Sequence, residues 1–210
     1  FVSGTQLKGD TEFEQNIFSA VEDLPYKGKI DGETQFNIRP DISFFVNGIF
    51  FSYAELKSNF NNQSARLNGR RKVVYDYMEA VQAYSKLVES NDEPETLRRQ
   101  MLRIFEKAIY LTSTDINETY VIRNIGSHFD ELKRGFQDGT LSMSRYEEDM
   151  LKTFKPYPVN NQDADARERF EEVMRSLYAK EEVQKEILYY NFLQYEYIRK
   201  NKKLERKTKT

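Results

Sequence analysis

The chain has 210 residues, 32 Lys and Arg against 34 Asp and Glu for a net charge of −2, one His, and neither Cys nor Trp. That composition excludes a thiol nucleophile, a Cys-ligated zinc or iron–sulfur site and a disulfide framework, and any Ser-His-Asp triad would have to run through His128. Metal chemistry is left to carboxylates and other oxygen ligands, which favours a hard ion such as Mg²⁺.

The first element, Asn16 to Tyr26, suits either a helix or a strand. Gly28 to Thr34 reads as a polar turn region. Phe36–Val46 and Ile49–Lys57 are predicted strands, rich in Phe, Ile and Val and separated by Asn47-Gly48, a strong hairpin signal. Asn59–Lys72 is a long polar segment, expected as a loop. Val73–Val88 has helix periodicity, with Val74, Tyr77, Val81, Tyr84 and Val88 at three- and four-residue spacings. Pro94–Lys107 is predicted as a second helix with Pro94 in its first turn. Ala108–Thr112 and Thr119–Asn124 read as two further strands.

Beyond Gly126 the pattern is charged and mostly helical. Met143–Phe154, Ala164–Ala179 and Glu181–Lys200 are predicted helices, with a loop around Pro156 and Pro158; Tyr189–Tyr197 also suits a strand. The tail Arg199–Thr210 carries seven Lys or Arg and one Glu and reads as a solvated end. The expected fold is α/β, a mixed β-sheet flanked by helices with a mainly helical C-terminal extension. Residues 1–125 are expected to form the core and 126–210 the extension. The longest uncharged run, Ile42–Ala54, spans 13 residues, too short to cross a bilayer. With no signal-peptide pattern, the chain reads as part of a cytoplasmic protein.

Three polar residues stand in the two apolar strands: Asp41, Glu55 and Lys57. Strand alternation puts Glu55 and Lys57 on one face. A strict two-residue loop at Asn47-Gly48 would put Asp41 on the opposite face. A three-residue loop with a bulge at Gly48 would put all odd-numbered residues together. The bulged turn is expected, because it also leaves Ile42, Phe44, Val46, Phe50, Ala54 and Leu56 as one apolar face. Two adjacent carboxylates repel unless a cation lies between them, and Asp41, Glu55 and the Leu56 carbonyl would offer such an ion oxygen ligands. Lys57 would stabilise charge growing on a phosphate. A cross-strand ion pair at a sheet edge would use the same residues.

Arg39-Pro40-Asp41, then Phe45-Val46-Asn47-Gly48, then Glu55-Leu56-Lys57 closely resemble the nuclease domain of the R (HsdR) subunit of type I restriction enzymes, whose PD-(D/E)xK motif takes the form RPD…FVNG…ELK. Asn16-Ile17-Phe18 resembles that family's NxF strand, which tips the first element towards strand. The resemblance is dense over about residues 12–57, loose to about 125 and marginal beyond. It implies a Mg²⁺-dependent endonuclease that cuts double-stranded DNA after ATP-driven translocation. Asp41 and Glu55 would be metal ligands and Lys57 the catalytic lysine. The motor domain would follow in the same full-length chain, and methylation (M) and specificity (S) subunits would supply recognition. No Walker-type glycine loop occurs in these residues, so ATP is expected only in the full-length subunit.

The family usually places Gln and Tyr four residues apart on the helix after the motif. Here Tyr84 aligns best, which leaves Ala80 in the Gln position; Gln82 lies roughly 200° around the helix from Tyr84. Arg66, Arg70, Arg71 and Lys72 form a basic cluster suited to DNA phosphates, though a solvated loop and helix start would look the same. Glu12 and Glu14 are weak candidates for a further acid from upstream. A stand-alone DNA-repair nuclease and a non-catalytic docking module are the alternative readings.

Overall fold

The computed structural model describes residues 15–30, 33–89, 108–123, 125, 129–140, 143–158 and 163–187. The expected helix Pro94–Lys107, His128, Glu12, Glu14 and the basic tail lie outside the described residues, as does the last expected helix beyond residue 187.

The strands are β1 (Phe18–Glu22), β2 (Tyr26–Ile30), β3 (Glu33–Ile38), β4 (Ile42–Val46), β5 (Ile49–Leu56), β6 (Tyr110–Thr114), β7 (Thr119–Arg123) and β8 (Lys155–Pro156). The helices are α1 (Arg70–Glu89), α2 (Phe129–Gln137), α3 (Met143–Thr153) and α4 (Ala166–Tyr178). Six strands form one mixed sheet in the order β1-β4-β5-β6-β7-β8, and β2 and β3 pair separately. Among the described residues only β5 and β6 run parallel, and a parallel pair requires a long crossover; α1 lies within it. The fold is α/β, a sheet flanked by helices with helices towards the C-terminus.

Alternation along the central strands explains why both faces are covered. Phe50, Tyr53, Leu111 and Ile122 join Val73, Val74, Tyr77, Met78 and Val81 of α1 in one buried cluster. Phe51, Tyr110 and Val121 join Val173 and Leu177 of α4 in a second. On that second face the Tyr178 ring stacks on Phe44, with centroids 3.9 Å apart. Its hydroxyl lies 2.7 Å from Thr112 Oγ1, and Tyr110 donates to the Leu177 carbonyl. An Asp165–Glu168 capping box starts α4.

Several expectations are corrected. Of the expected turn region Gly28–Thr34, the described residues 28–30 and 33–34 are strand, at the facing ends of the antiparallel β2–β3 pair. Phe36–Val46 is not one strand: Arg39 and Pro40 break it, and β3 and β4 enter different sheets, as a proline without an N–H favours. Pro156 lies not in a loop but in β8, where Tyr120 pairs with Pro156 and Val121 with Lys155 at the sheet edge. Asn59–Lys72 contains a 3₁₀ turn, one π-type turn over Ala65–Gly69 and the start of α1. The helix α2 had no counterpart in the sequence reading.

The turn at Asn47-Gly48 also differs from expectation. Val46 pairs directly with Ile49 across a tight two-residue loop, with φ of 51° at Asn47 and 76° at Gly48, values that suit a type I′ turn. The bulge is further along: Phe45 pairs with Phe50 but Phe44 with Ser52, leaving Phe51 as the extra residue. Beyond it the even-sum register holds, so Asp41 and Glu55 fall on the same face after all. Phe50, expected on the even-numbered apolar face, instead packs edge-on against Phe45 and Tyr26.

Asn47 also ties β1 to the hairpin. Its Nδ2 donates to Asn16 Oδ1, its Oδ1 accepts from the Ile17 N–H, and its own N–H donates to the Ile17 carbonyl. Buried Asn16 therefore fixes where β1 begins.

Candidate active site

Asp41 stands at the junction between the broken strands, one residue before β4. Its Oδ2 accepts the Leu56 N–H at 2.6 Å. A side chain thus takes the place of a ladder partner just where β4 has ended, and this anchors the carboxylate beside Glu55. Next, the Lys57 N–H donates to the Thr114 carbonyl at 2.8 Å, which continues the parallel ladder past β5. The alternation of β5 then sets Glu55 and Lys57 on one face, where Lys57 Nζ lies 2.5 Å from Glu55 Oε1.

Glu55 is buried, with 3 % of its surface exposed. Its second oxygen, Oε2, is buried without a hydrogen-bond partner. Burial raises the Glu55 carboxyl above its usual pKa; the Lys57 hydrogen bond opposes that shift, and the Asp41 charge adds to it. A carboxylate left with an unsatisfied buried oxygen is costly, so the site is stored at the expense of stability.

The helix above contributes a group that the sequence reading missed. Asp76 of α1 is 2 % exposed, and both of its oxygens accept from Lys72 Nζ, at 2.6 and 2.5 Å. Burial pushes its pKa up to about 6 against the pull of Lys72, and Glu55 and Glu79 push the same way. Tyr53, on the Glu55 face of β5, feels the charge of both Asp76 and Glu55. The available signal was a carboxylate three residues after Val73 and one before Tyr77, beside the apolar stripe of a helix. Ala80, in the expected Gln position, is buried one turn later. Tyr84 lies on α1, but its side chain is outside the described residues.

The basic cluster is mostly engaged. The Arg70 guanidinium lies 4.6 Å from the Tyr120 ring centroid, and its Nε donates to the Arg66 carbonyl. Arg71 pairs with Glu147 at an exposed position, and Lys72 holds Asp76. Arg66 is exposed. Of the four, Lys72 is the one whose charge acts on Glu55.

The segment between Lys57 and α1 is clamped from below. The Ala65 N–H donates to Asp115 Oδ2 at 2.7 Å, and Ser113 Oγ donates to the Ala65 carbonyl at 2.9 Å. Gly69 closes the turn over Ser113 and the Lys57 stem.

Residues 4–93 match the family model of the type I restriction enzyme R protein N terminus. This segment is similar to an HsdR N-terminal domain. The matched span contains Asp41, Glu55 and Lys57, and also Asn16 and Asp76. Neither the curated proteins nor the solved structures gave a match to the chain. No helix among the described residues is long and apolar enough to cross a membrane.

By donor type the site would suit a hard cation: two carboxylates share a face, and one buried oxygen lacks a partner. Among the described residues no three acidic or His side chains are gathered closely enough to hold an ion alone. Mg²⁺ commonly takes one or two carboxylates and completes its shell with water and phosphate.

Proposed function

We propose that this domain is the Mg²⁺-dependent endonuclease of a type I restriction enzyme R subunit and hydrolyses phosphodiester bonds of double-stranded DNA. The observation that carries the reading is the buried, unpartnered Glu55 oxygen beside Asp41 and Lys57, within the segment that matches the R protein family. Asp41, Glu55 and the Leu56 carbonyl would hold the ion, which when bound would polarise the phosphodiester and acidify a water.

The chain's own groups have separable parts in that reaction. Asp41 is pinned by the Leu56 N–H, so its carboxylate is fixed before any ligand arrives. Lys57, partly buried and paired with Glu55, keeps an ammonium in the site to stabilise charge on the phosphate oxygens. Exposed Arg66 would approach the DNA backbone, and Arg70, Arg71 and Lys72 would join it only by giving up present partners. Translocation would be driven by ATP in a motor domain of the full-length chain, towards which residues 126–210 lead. The M and S subunits would supply recognition, in the cytoplasm.

The test is nicking of supercoiled plasmid by the complete assembly, with and without Mg²⁺. Asp41→Ala and Lys57→Ala are expected to abolish cutting while leaving ATP hydrolysis intact. Undiminished cutting by both variants would refute the assignment.

A further inference from the structure

Asp76 needs an explanation beyond helix stability. A Lys–Asp pair four residues apart on a solvated helix adds a few tenths of a kcal/mol, and least with the base N-terminal to the acid. Asp76, however, is buried, and Val73 and Tyr77 on either side of it share one core cluster with Tyr53 of β5; a carboxylate there costs far more than such a pair returns. Its charge and that of Glu55 act on each other and on Tyr53 between strand and helix. Glu55, on the same face of β5 as Tyr53, has the unpartnered oxygen, and its side chain is 4 % exposed. Asp41, Glu55 and Asp76 against Lys57 and Lys72 leave one net negative charge. One end of this set is adjustable, because the Lys72 side chain is 38 % exposed while Asp76 is enclosed.

We propose that Asp76 is a further carboxylate of the cation site, accepting hydrogen bonds from cation-bound water, with Lys72 as its resting counter-charge. This rests on Asp41 and Glu55 being the cation's ligands. Asp76 is not gathered with them closely enough to be an inner ligand. Mg²⁺ keeps several of its waters, and those waters need acceptors. An outer carboxylate fixes them, and loss of such a partner typically weakens metal affinity by about 10- to 100-fold. Lys72, drawn away from Asp76, can turn to solvent or to a phosphate without leaving a buried cation behind.

The experiment is calorimetric titration of Mg²⁺ and Mn²⁺ into the 210-residue chain, with folding checked by circular dichroism. Glu55→Gln is expected to abolish binding, Asp76→Asn to weaken it by about 10- to 100-fold, and Lys72→Gln to tighten it by removing a competing charge. For bound Mn²⁺, water-proton relaxation should also change in Asp76→Asn, because an amide offers its waters one neutral acceptor oxygen in place of two charged ones. Wild-type affinity in Asp76→Asn together with lost binding in Glu55→Gln would overturn this proposal and leave the nuclease reading standing. Unchanged affinity in Glu55→Gln and Asp41→Asn would remove the cation site itself, and both readings with it. Should Asp76→Asn fail to fold, Lys72→Gln decides: unchanged or weakened binding overturns the proposal.

Discussion

Gly69→Ala tests whether the turn after the motif holds Lys57 in place. A Cβ at Gly69 would overlap Ser113 Oγ outright and lie 3.1 Å from Ser113 Cβ and 3.2 Å from Lys57 Cγ. Ser113 is fully buried, and its hydroxyl is committed to the Ala65 carbonyl, so it cannot move aside without breaking that bond. Overpacking costs about 1–3 kcal/mol, and leaving the buried carbonyl unsatisfied adds about 1–3 kcal/mol. The expected loss is therefore about 2–6 kcal/mol, or roughly 4–24 °C in Tm for a chain of this size. Urea unfolding followed by circular dichroism measures it. Repeating the substitution in a Ser113→Ala background removes the worst overlap, so Gly69→Ala should cost at least about 1 kcal/mol less there. Activity should fall even where the variant is folded, since the Lys57 stem is the other group displaced. Wild-type stability in Gly69→Ala, or an equal loss in both backgrounds, would refute the reasoning.

Three further outcomes follow from particular contacts. Asp76 has its pKa raised from 3.8 to about 6 in the folded chain, so its stabilising contribution is full below the unfolded value and is lost as pH rises through about 6. Metal-free stability should drop by up to about 3 kcal/mol from this group between pH 4 and 7, and the drop should flatten in Asp76→Asn when urea midpoints are compared across pH. Gly48→Ala, at a φ of 76°, should cost about 1 kcal/mol in the same assay. Tyr178→Phe should cost about 1 kcal/mol by removing the hydroxyl contact with Thr112; Tyr178→Ala should cost about 3–5 kcal/mol, because the ring stacked on Phe44 is lost as well.

The hairpin was legible because Asn47-Gly48 meets a backbone demand: both residues take positive φ, which few residue pairs tolerate. The position of the bulge was not. Ile49, Phe50 and Phe51 are three apolar residues in a row, so alternation carries no mark of where the extra residue enters. The shared face of Asp41 and Glu55 was thus reached with the right parity and the wrong device. The β2–β3 pair was missed for a different reason: Tyr26–Ile30 and the end of β3 do alternate, but Gly28 and the charged residues that follow read as a turn. Of the site, Asp41, Glu55 and Lys57 stood out as charges in apolar strands. Asp76 did not, because charged residues are ordinary on helices. Only its burial in the folded chain shows that this one faces inward, and that burial depends on contacts distant in sequence.

The break at Pro40 joins the stability argument to the functional one. Had β3 run on into β4, residue 41 would lie inside a strand, with its neighbours' backbone groups satisfied by the ladder. Because the strand starts afresh after Pro40, β4 ends before it can serve Leu56, and Asp41 supplies the missing acceptor with its carboxylate. The chain gains a hydrogen bond to a charged group, worth about 1.5–3 kcal/mol. It also fixes one acid beside a second that has an unsatisfied oxygen. The arrangement therefore partly offsets, at Asp41, the cost carried by Glu55 and Asp76. It follows that Asp41→Asn should do less harm to the fold than Asp41→Ala, because an amide oxygen can still accept from Leu56. Both should weaken cation binding, since only the carboxylate brings the charge. Equal destabilisation by the two variants would mean that the Leu56 contact is not what holds residue 41 in place.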